Sequence, residues 1–404
     1  AEGRGYPIMF QGDSASKGIA PFAEAGQPAP TIKANSRVNE TTGEYGASRS
    51  PARVLVGPND VRRMDARSLA RLQGIPDEYP LPPNEGLART IIGNGVPPPV
   101  MRAVAGPLLR DGDRGVTLFS GGGIAEVGLK DRVRFIGAVE KDTAIGAQYR
   151  KAHGDHVIVG DVQGVDFSKW AGADYLHASP VCKQYSGATM AGGETPLDLS
   201  TAQATARAIR EIRPRVVTVE NVKGYQKSDA FRTITKELDR QGYRWDAQVY
   251  DAADYGVPQH RDRLLLRAVR EGELPPPPPK QAPVGWEGAI EGRDLPKDRL
   301  APWQVERARE RGVLAQPKTF DGKPVPENLA PAAPIRESET HAVLAPPAPP
   351  PKPGPRGGTF ATAAEATERY SVHNYREWQR KARDWMKEWA PGRGPAQVPE
   401  QHRS

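Results

Sequence analysis

The sequence predicts an α/β protein whose parallel sheet is covered by helices on both faces. Short apolar runs recur between residues 116 and 269, and longer mixed segments separate them. Segments such as TAIGAQYRKAH and STAQATARAIREI carry apolar residues three and four positions apart, as amphipathic helices do. Because strand and helix alternate, the strands are expected to run parallel, with ligands bound at their carboxyl ends.

Six apolar runs are predicted to be the strands of this sheet. The residues that follow each run are the first candidates for a site, because ligands bind where parallel strands end. The runs are VTLF at 116–119, FIGAV at 135–139, HVIV at 156–159, DYLHA at 174–178, RVVTV at 215–219 and RLLLRAV at 263–269.

Composition limits the class of protein and its location. The length of 404 residues predicts one large domain and a smaller one. A single cysteine excludes an internal disulfide and fits a reducing compartment, and no zinc-type spacing occurs, so no metal is expected. No apolar run approaches the roughly 18 residues of a membrane span, and the net charge of +7 fits a polyanionic partner. We expect a monomer in the cytoplasm, with no membrane contact.

The first predicted strand runs into a glycine turn, FSGGGIAEVGLK. Phe119 ends the strand, and Gly121 and Gly123 allow a tight turn and a close approach of the backbone to a ligand at the next helix. Glu126 stands where a complete GxGxxG pattern has its third glycine. The turn alone is therefore an incomplete signal for a nucleotide site.

Acidic residues end the next two strands. Glu140 follows the second run about twenty residues after the turn, where an acid can accept hydrogen bonds from both ribose hydroxyls. The alternative for Glu140 is a solvated charge at a strand end. Asp161, which Val162 follows, either faces an adenine or caps a turn. These positions predict a nucleoside cofactor, and the residues alone leave a dinucleotide and S-adenosylmethionine both open.

The remaining candidates follow the runs DYLHA and RVVTV or lie at the start of the run RLLLRAV. Cys182 lies in SPVCKQYS, where it is either a small core residue, as most lone cysteines are, or a nucleophile on a loop. Glu220, in VTVENVKGY, is expected beside Cys182 on the neighbouring strand end. Arg261 and Arg263, in QHRDR, alternate, so they can point to one face and hold an anion or brace the site.

Together these motifs resemble those of the DNA cytosine-5 methyltransferases. The set runs in order through FSGGG at 119–123, Glu140, Asp161, SPVCKQYS at 179–186, ENV at 220–222 and QHRDR at 259–263. The resemblance implies a Rossmann-like, S-adenosylmethionine-dependent methyltransferase sheet that acts on double-stranded DNA. It also implies a prokaryotic or phage-type cytoplasm. It implies a catalytic set of Cys182, Glu220, Arg261 and Arg263. The implied cofactor residues are Phe119, Gly121, Gly123, Glu140, Asp161, Val162, Ser186, Asn94 and Val96.

The closing motifs of that family come first in this chain. QPAPTIKAN at 27–35, DARSLARLQGIPDEY at 65–79 and IIGNGVPPPVMRAVAGPLL at 91–109 precede the glycine turn. The sequence therefore resembles a circularly permuted member, in which residues 84–110 form a closing turn and helix beside the first strand. The linker RDGDRG is short and polar, so it joins elements whose ends are close together.

The resemblance also predicts domain boundaries. Residues 62–270 are expected to form the permuted catalytic domain, in which 116–270 carry the cofactor and catalytic motifs. Residues 1–61 and 271–404 are expected to form a smaller, irregular target-recognition region, with proline-rich linkers near 275–283 and 345–358. An aromatic helix at 369–390 either docks on the protein or contacts DNA.

The implied reaction gives the single thiol a role. Cys182 adds as a thiolate to carbon 6 of a cytosine that is flipped out of the duplex, while Glu220 hydrogen-bonds or protonates ring nitrogen 3. The sequence departs from the family pattern at Val181, where members have proline, and at Lys141, where they often have an apolar or aromatic residue. RNA cytosine-5 methylation and DNA binding with weak catalysis stay open as alternatives.

Overall fold

Two β-sheets and the helices around them make up the described part of the chain. The computed structural model describes residues 8–10, 22–31, 52–57, 60–181 and 194–300, together with residues 305 and 309. All of these belong to one unit of the chain, Ala1–Glu327. In chain order the elements are β1 (Ile8–Phe10), β2 (Phe22–Glu24), β3 (Arg53–Gly57), β4 (Asp60–Arg63), α1 (Ala66–Leu72), α2 (Glu85–Asn94), α3 (Pro98–Val104), β5 (Asp113–Leu118), α4 (Ile124–Val127), β6 (Val133–Glu140), α5 (Thr143–His153), β7 (Val157–Val159), β8 (Tyr175–Ala178), α6 (Pro196–Ile212), β9 (Val216–Asn221), α7 (Asp229–Arg240), β10 (Arg244–Asp251) and β11 (Asp262–Val269).

The larger sheet has seven strands in the order β10-β11-β9-β8-β5-β6-β7. The strands from β9 to β7 run parallel, and β11 pairs antiparallel with both β9 and β10. Each of the six apolar runs coincides with one strand, so the predicted α/β class is confirmed. The sequence does not predict β10, because this edge strand is largely exposed and RWDAQVYD contains no apolar run.

Helices α6 and α7 cover one face of the larger sheet. Ile209 and Ile212 of α6 and Leu238 of α7 share a buried core with Leu176 of β8 and Val217 of β9. Side chains that alternate with these along each strand point to the opposite face. The second face therefore needs its own cover, and the sequence from 116 onward does not supply all of it.

Helix α3, from the first hundred residues, covers part of that second face. Its Val100, Met101 and Val104 lie in one core with Tyr175 of β8 and Val216 of β9. Residues 84–110 thus include the helices α2 and α3, of which α3 packs on this sheet, and their closing role stays a prediction. The circular permutation itself stays a prediction, since packing does not tell how relatives order the same segments.

A short connection carries the chain from α3 into β5. A 3-10 turn spans Gly106–Leu108. Arg215, which precedes β9, donates from Nη1 to the carbonyl oxygen of Leu108 at 2.9 Å and pairs through Nη2 with Asp113 at 2.5 Å. The ends of α3 and β5 are therefore held close together, as the short polar linker predicts.

The smaller sheet is antiparallel, in the order β2-β1-β3-β4. Trp286 is fully buried against it, and its Nε1 donates to the carbonyl oxygens of Ala23 at 3.2 Å and Glu24 at 3.1 Å. The boundary predicted at residue 62 falls inside β4, whose partner strand β3 precedes it. Residues on both sides of that boundary thus build one sheet.

The proline-rich stretch near 275–283, predicted to be a linker, packs against the larger sheet. Arg267 of β11 donates from Nη2 to the carbonyl oxygen of Pro275 at 3.0 Å, and Tyr255 donates to that of Pro278 at 3.4 Å. A polyproline helix makes no internal hydrogen bonds, so its carbonyls are free to accept from neighbours. The stretch is therefore anchored to its own unit rather than linking two bodies.

The predicted linker at 345–358 and the aromatic helix at 369–390 lie outside the described residues. None of the helices in the described ranges is both long and apolar enough to cross a membrane. Over the same ranges, no three His, Cys, Asp or Glu side chains come together in a way that could hold a metal ion.

Candidate active site

Four strand ends meet at one edge of the larger sheet. Strands β5, β6, β8 and β9 run parallel to one another, so the residues at their carboxyl ends come together. These residues are Phe119 after β5, Glu140 at the end of β6, Ser179 after β8 and Glu220 near the end of β9. The candidates that the sequence puts at separate strand ends thus share one edge.

The turn after β5 adopts backbone conformations that glycine tolerates best. Gly121 and Gly123 have φ angles of 55° and 78°, and Phe119 has a φ of 57°, which is rare for a residue with a bulky side chain. A Cβ atom at Gly123 would lie 2.3 Å from the ring of His153, whereas one at Gly121 would meet no atom within 4 Å. Gly121 therefore faces open space, as a ligand-binding turn requires.

Glu140 closes this turn from the neighbouring strand. The backbone N–H of Gly121 donates to Glu140 Oε2 at 2.8 Å, and that of Asp142 donates to Oε1 at 2.8 Å. Burial raises the pKa of Glu140, so the alternative of a freely solvated charge does not describe it. Each carboxyl oxygen carries two lone pairs and can accept a second hydrogen bond, which fits a ribose hydroxyl.

Asp161 caps a turn. Its Oδ1 accepts from the backbone N–H of Gln163 at 3.0 Å, at the start of the 3-10 turn Val162–Gly164. Its Oδ2 lies 2.8 Å from Lys141 Nζ, and both side chains are more than half exposed. Of the two interpretations of Asp161, the contacts in the structure are those of a turn cap. A contact of Asp161 with adenine stays a prediction.

The end of α2 lies against the glycine turn. A Cβ atom at Gly95 would lie 2.6 Å from a side chain of α4, and Tyr79 donates from its hydroxyl to the carbonyl oxygen of Gly122 at 2.6 Å. Asn94 is exposed at the helix end, and Val96 is buried two residues later. The first hundred residues therefore border the turn at the point where Asn94 and Val96 are predicted to contact the cofactor.

Glu220 is a buried carboxylate that pairs with one arginine. It is 7% exposed, and Arg263 Nε lies 2.9 Å from its Oε1. The antiparallel register places Leu265 of β11 opposite Glu220, so Arg263, two residues away, points to the same face of the sheet. A buried charge is tolerated when an opposite charge contacts it directly, as Arg263 does here.

Strand β9, which carries Glu220, also forms a hydrogen bond with the segment that precedes Cys182. Asn221 is 2% exposed, and its Nδ2 donates to the carbonyl oxygen of Pro180 at 3.0 Å. Cys182 and Ser186 lie outside the described residues, so their roles stay predictions. The described chain reaches Val181, one residue from the thiol.

Arg261 and Arg263, which the sequence treats as a pair, have different partners. Arg261 is 1% exposed, and its Nη2 donates to the carbonyl oxygens of Gly93 at 2.6 Å and Gly95 at 3.1 Å. Arg263 instead contacts Glu220. Of the two alternatives, bracing describes Arg261, which ties the end of α2 to the start of β11. The catalytic role of Arg261 stays a prediction.

Two buried polar residues beside the site are not predicted from the sequence as parts of it. Glu126 is 1% exposed, and burial raises its pKa to about 7. His177 is 3% exposed in β8, and burial lowers its pKa to about 4. In the sequence, His177 could have been noticed as a histidine inside the predicted strand DYLHA. Glu126 could have been noticed only because it replaces the third glycine of the GxGxxG pattern.

The Glu140→Ala substitution is expected to weaken binding of the predicted cofactor, S-adenosylmethionine, by about 1–3 kcal/mol. The reason is that the N–H of Gly121 and the cofactor hydroxyls both lose their acceptor. Calorimetric titration of the variant and of the unaltered chain measures the difference. Glu140→Gln is the matched control, since it keeps the side-chain volume and one acceptor oxygen and should lose less. Equal affinity in the alanine variant and the unaltered chain would mean that Glu140 does not bind the ribose.

Comparison with known proteins gives a family match. The family model described as C-5 cytosine-specific DNA methylase matches residues 4–110 and 114–297. The chain is similar to Type II methyltransferase M.PspPI of Psychrobacter sp. (strain TA137), 36% identical over 162 residues, or 38% of this chain and 39% of the relative. It is similar to Type II methyltransferase M.NlaX of Neisseria lactamica, 28% identical over 157 residues, or 37% of this chain and 50% of the relative.

A solved structure adds a more distant similarity, and the relatives set a limit on length. The S. pombe Dnmt2 methyltransferase is 18% identical with a TM-score of 0.34, and the match covers 40% of this chain and 51% of that one. The chain spans about two-fifths to one-half of the length of the two curated relatives above.

Proposed function

Because this chain belongs to the C-5 cytosine-specific DNA methylase family, we propose that it transfers a methyl group from S-adenosylmethionine to carbon 5 of a cytosine in double-stranded DNA. The observation that carries the proposal is the buried Glu220–Arg263 pair at the same sheet edge as the Glu140-capped glycine turn. One edge thus offers a buried acid for a base and a turn for a nucleoside. The similarity to relatives named as Type II methyltransferases supports DNA as the substrate.

The residues around the glycine turn fit S-adenosylmethionine. The lone pairs left on Glu140 suit ribose hydroxyls, and the open space in front of Gly121 leaves room for the cofactor next to the backbone. When bound, S-adenosylmethionine supplies an electrophilic methyl group. We assign its binding to Phe119, Gly121, Gly123, Glu140, Asp161, Val162, Ser186, Asn94 and Val96.

Cys182 is proposed as the nucleophile. Its thiolate forms a bond to carbon 6 of cytosine, and the π electrons of the carbon 5–carbon 6 double bond shift toward ring nitrogen 3, which leaves an enamine with a nucleophilic carbon 5. Once carbon 5 is methylated, a base such as water removes its proton, the double bond re-forms and the thiolate leaves. A stacked base does not expose carbon 6, so the cytosine must be flipped out of the duplex.

Glu220 is proposed to stabilise the ring while the thiolate adds. It hydrogen-bonds or protonates ring nitrogen 3 and accepts from the exocyclic amino group. Arg263, 2.9 Å from the carboxylate, compensates its charge and fixes its orientation. Burial strengthens these interactions because little water competes for the same atoms.

Glu220→Gln is expected to slow methyl transfer by about two orders of magnitude or more, the range seen when a general acid or an electrostatic stabiliser is removed. Glutamine keeps the shape of the side chain but neither carries the charge nor delivers the proton. Single-turnover kinetics on duplex DNA measures the rate, and calorimetry on the same variant should show unchanged cofactor affinity. A variant that turns over within two-fold of the unaltered enzyme would remove Glu220 from the chemistry.

An assay with labelled S-adenosylmethionine tests the function itself. The full chain is incubated with duplex DNA in one reaction and with tRNA in another, and the modified nucleosides are separated. We expect label in 5-methylcytosine from the DNA and none from the tRNA. Label in the tRNA alone would replace the proposal with RNA methylation, and no label in either would leave a binding protein with weak or absent catalysis.

A further inference from the structure

A line of four polar side chains runs from the middle of the larger sheet to the segment that carries Cys182. The hydroxyl of Tyr175 lies 2.6 Å from Thr218 Oγ1, and that same oxygen lies 2.9 Å from His177 Nδ1. The other ring nitrogen, His177 Nε2, lies 3.2 Å from Ser179 Oγ. Ser179 follows β8 directly and precedes Cys182 by three positions. The line therefore reaches the same sheet edge as Glu220.

The strand register explains why these residues meet. Strands β8 and β9 are parallel neighbours that pair His177 with Thr218, so both side chains point to one face. Tyr175 and Ser179, two positions before and after His177, share that face. Glu220, two positions after Thr218, shares it as well. The line thus lies on the same face of the sheet as Glu220, the proposed catalytic acid.

Burial fixes the direction of the hydrogen bonds. Tyr175 and Thr218 are 0% exposed and His177 is 3% exposed, so an unpaired hydrogen on any of them costs free energy. At neutral pH the ring of His177 is uncharged, because burial lowers its pKa to about 4, and it carries one N–H. The two hydroxyl hydrogens and the one ring N–H must therefore each take one of the three contacts as a donor.

One arrangement alone pairs all three hydrogens. Tyr175 donates to Thr218, Thr218 donates to His177 Nδ1, and His177 donates from Nε2 to Ser179. If Ser179 donated to the ring, the hydrogen of either Tyr175 or Thr218 would have no acceptor among these four side chains. In the favoured arrangement the hydrogen of Ser179 is not used within the line, and it is available at the edge of the site.

We propose that Tyr175, Thr218 and His177 form a one-way hydrogen-bond chain that holds Ser179 and thereby positions the start of the Cys182 segment. This inference rests on the proposed function. Pro180, the next residue, is held separately by Asn221 Nδ2 at 3.0 Å. Two anchors therefore precede Val181. Members of the family have proline at this position, and the ring of proline restricts the backbone, whereas valine does not. His177 is a positioning residue in this scheme, because it acts through Ser179.

Nuclear magnetic resonance tests the direction of the chain without any methylation assay. In the full chain labelled with nitrogen-15, the ring of His177 is expected to carry its hydrogen on Nε2. In Tyr175→Phe, Thr218 can still donate to Nδ1, whereas the opposite direction would leave the Thr218 hydrogen without an acceptor in the line, so the Nε2–H form is expected to persist in that variant. A ring protonated on Nδ1 in the unaltered chain or in Tyr175→Phe would overturn the assigned direction.

Two substitutions of His177 test the positioning role. The amide of His177→Gln can reach the position of Nε2 and donate to Ser179, whereas the shorter amide of His177→Asn stays near Nδ1 and cannot. We expect kcat to fall about ten-fold or more in His177→Asn, since small misplacements of a reacting group are costly, and to stay within about three-fold of the unaltered value in His177→Gln. KM for DNA and cofactor affinity should change little in both. Equal losses in the two variants would reduce His177 to a structural residue and contradict the proposal.

Alkylation of the thiol gives a readout that does not depend on turnover. Cys182 is the sole cysteine of the chain, so the rate of its reaction with iodoacetamide as a function of pH reports on this group directly. The profile is expected to shift in His177→Asn and in Ser179→Ala, and to be restored in His177→Gln. Ser179→Ala covers the case in which His177→Asn does not fold. Unshifted profiles in a chain that does methylate DNA would overturn the positioning role and leave the proposed function intact.

Discussion

Cys182→Ala is expected to abolish a denaturant-resistant complex with duplex DNA that contains 5-fluorocytosine. In that base, fluorine replaces the carbon-5 hydrogen. Water cannot remove fluorine after methyl transfer, so the bond between sulfur and carbon 6 persists in the unaltered enzyme. Alanine has no thiol and cannot form this bond. Denaturing electrophoresis of the complex with labelled S-adenosylmethionine measures the trapped fraction.

The design does not require the recognition sequence. A long duplex copied with 5-fluorodeoxycytidine in place of every cytosine contains whatever target the enzyme reads. Glu220→Gln is the matched control, because it keeps the thiol and should form the same complex more slowly. A complex that survives denaturation in Cys182→Ala would contradict the assignment, since the chain has no second cysteine that could form it.

Deletion of residues 1–110 is expected to remove cofactor binding and to leave an insoluble or molten product. Val100, Met101 and Val104 of α3 are at most 1% exposed and share a core with strands β8 and β9, so their loss uncovers an apolar sheet face. The deletion also removes the carbonyls of Gly93 and Gly95 to which the buried Arg261 donates, and the loss of these hydrogen bonds is a further cost. Solubility, near-ultraviolet circular dichroism and calorimetry with S-adenosylmethionine measure the outcome.

A second deletion separates this effect from truncation in general. Removal of the chain from about residue 391, a proline- and charge-rich end, should leave the fold and cofactor affinity intact. A soluble fragment that starts at Val116 and binds the cofactor would show instead that the first hundred residues are a separate module. That outcome would contradict the predicted closing role of residues 84–110.

The strands of the parallel sheet can be predicted from local sequence because they are buried on both faces. Leu118, Leu176 and Val217 lie in apolar runs that need no partner to be recognised. Strand β10 lies at an edge with most of its side chains at least partly exposed, and β1 to β4 have three to five residues each. Such strands are defined by the partners with which they pair, and these lie elsewhere in the chain.

The same reasoning separates the site residues. Glu140 and Glu220 are predictable because any residue at the carboxyl end of a parallel strand reaches the same edge. Arg261 and Arg263 are two positions apart and look equivalent in sequence. Only the packing of α2 beside the start of β11 shows that Arg261 contacts Gly93, 168 positions away, while Arg263 contacts Glu220.

The sequence by itself determined the α/β class, the glycine turn and the strand-end acids, because these depend on local patterns of apolar residues and on where each pattern ends. The tertiary structure alone decided that Arg261 contacts the end of α2, that the prolines near 275–283 pack, and that His177 joins Tyr175, Thr218 and Ser179 in one line. The physical reason is the same in each case. A side chain's role follows from its partners, and a buried polar group takes partners from whichever strand or helix folding brings within hydrogen-bond distance, however far away it is in the chain.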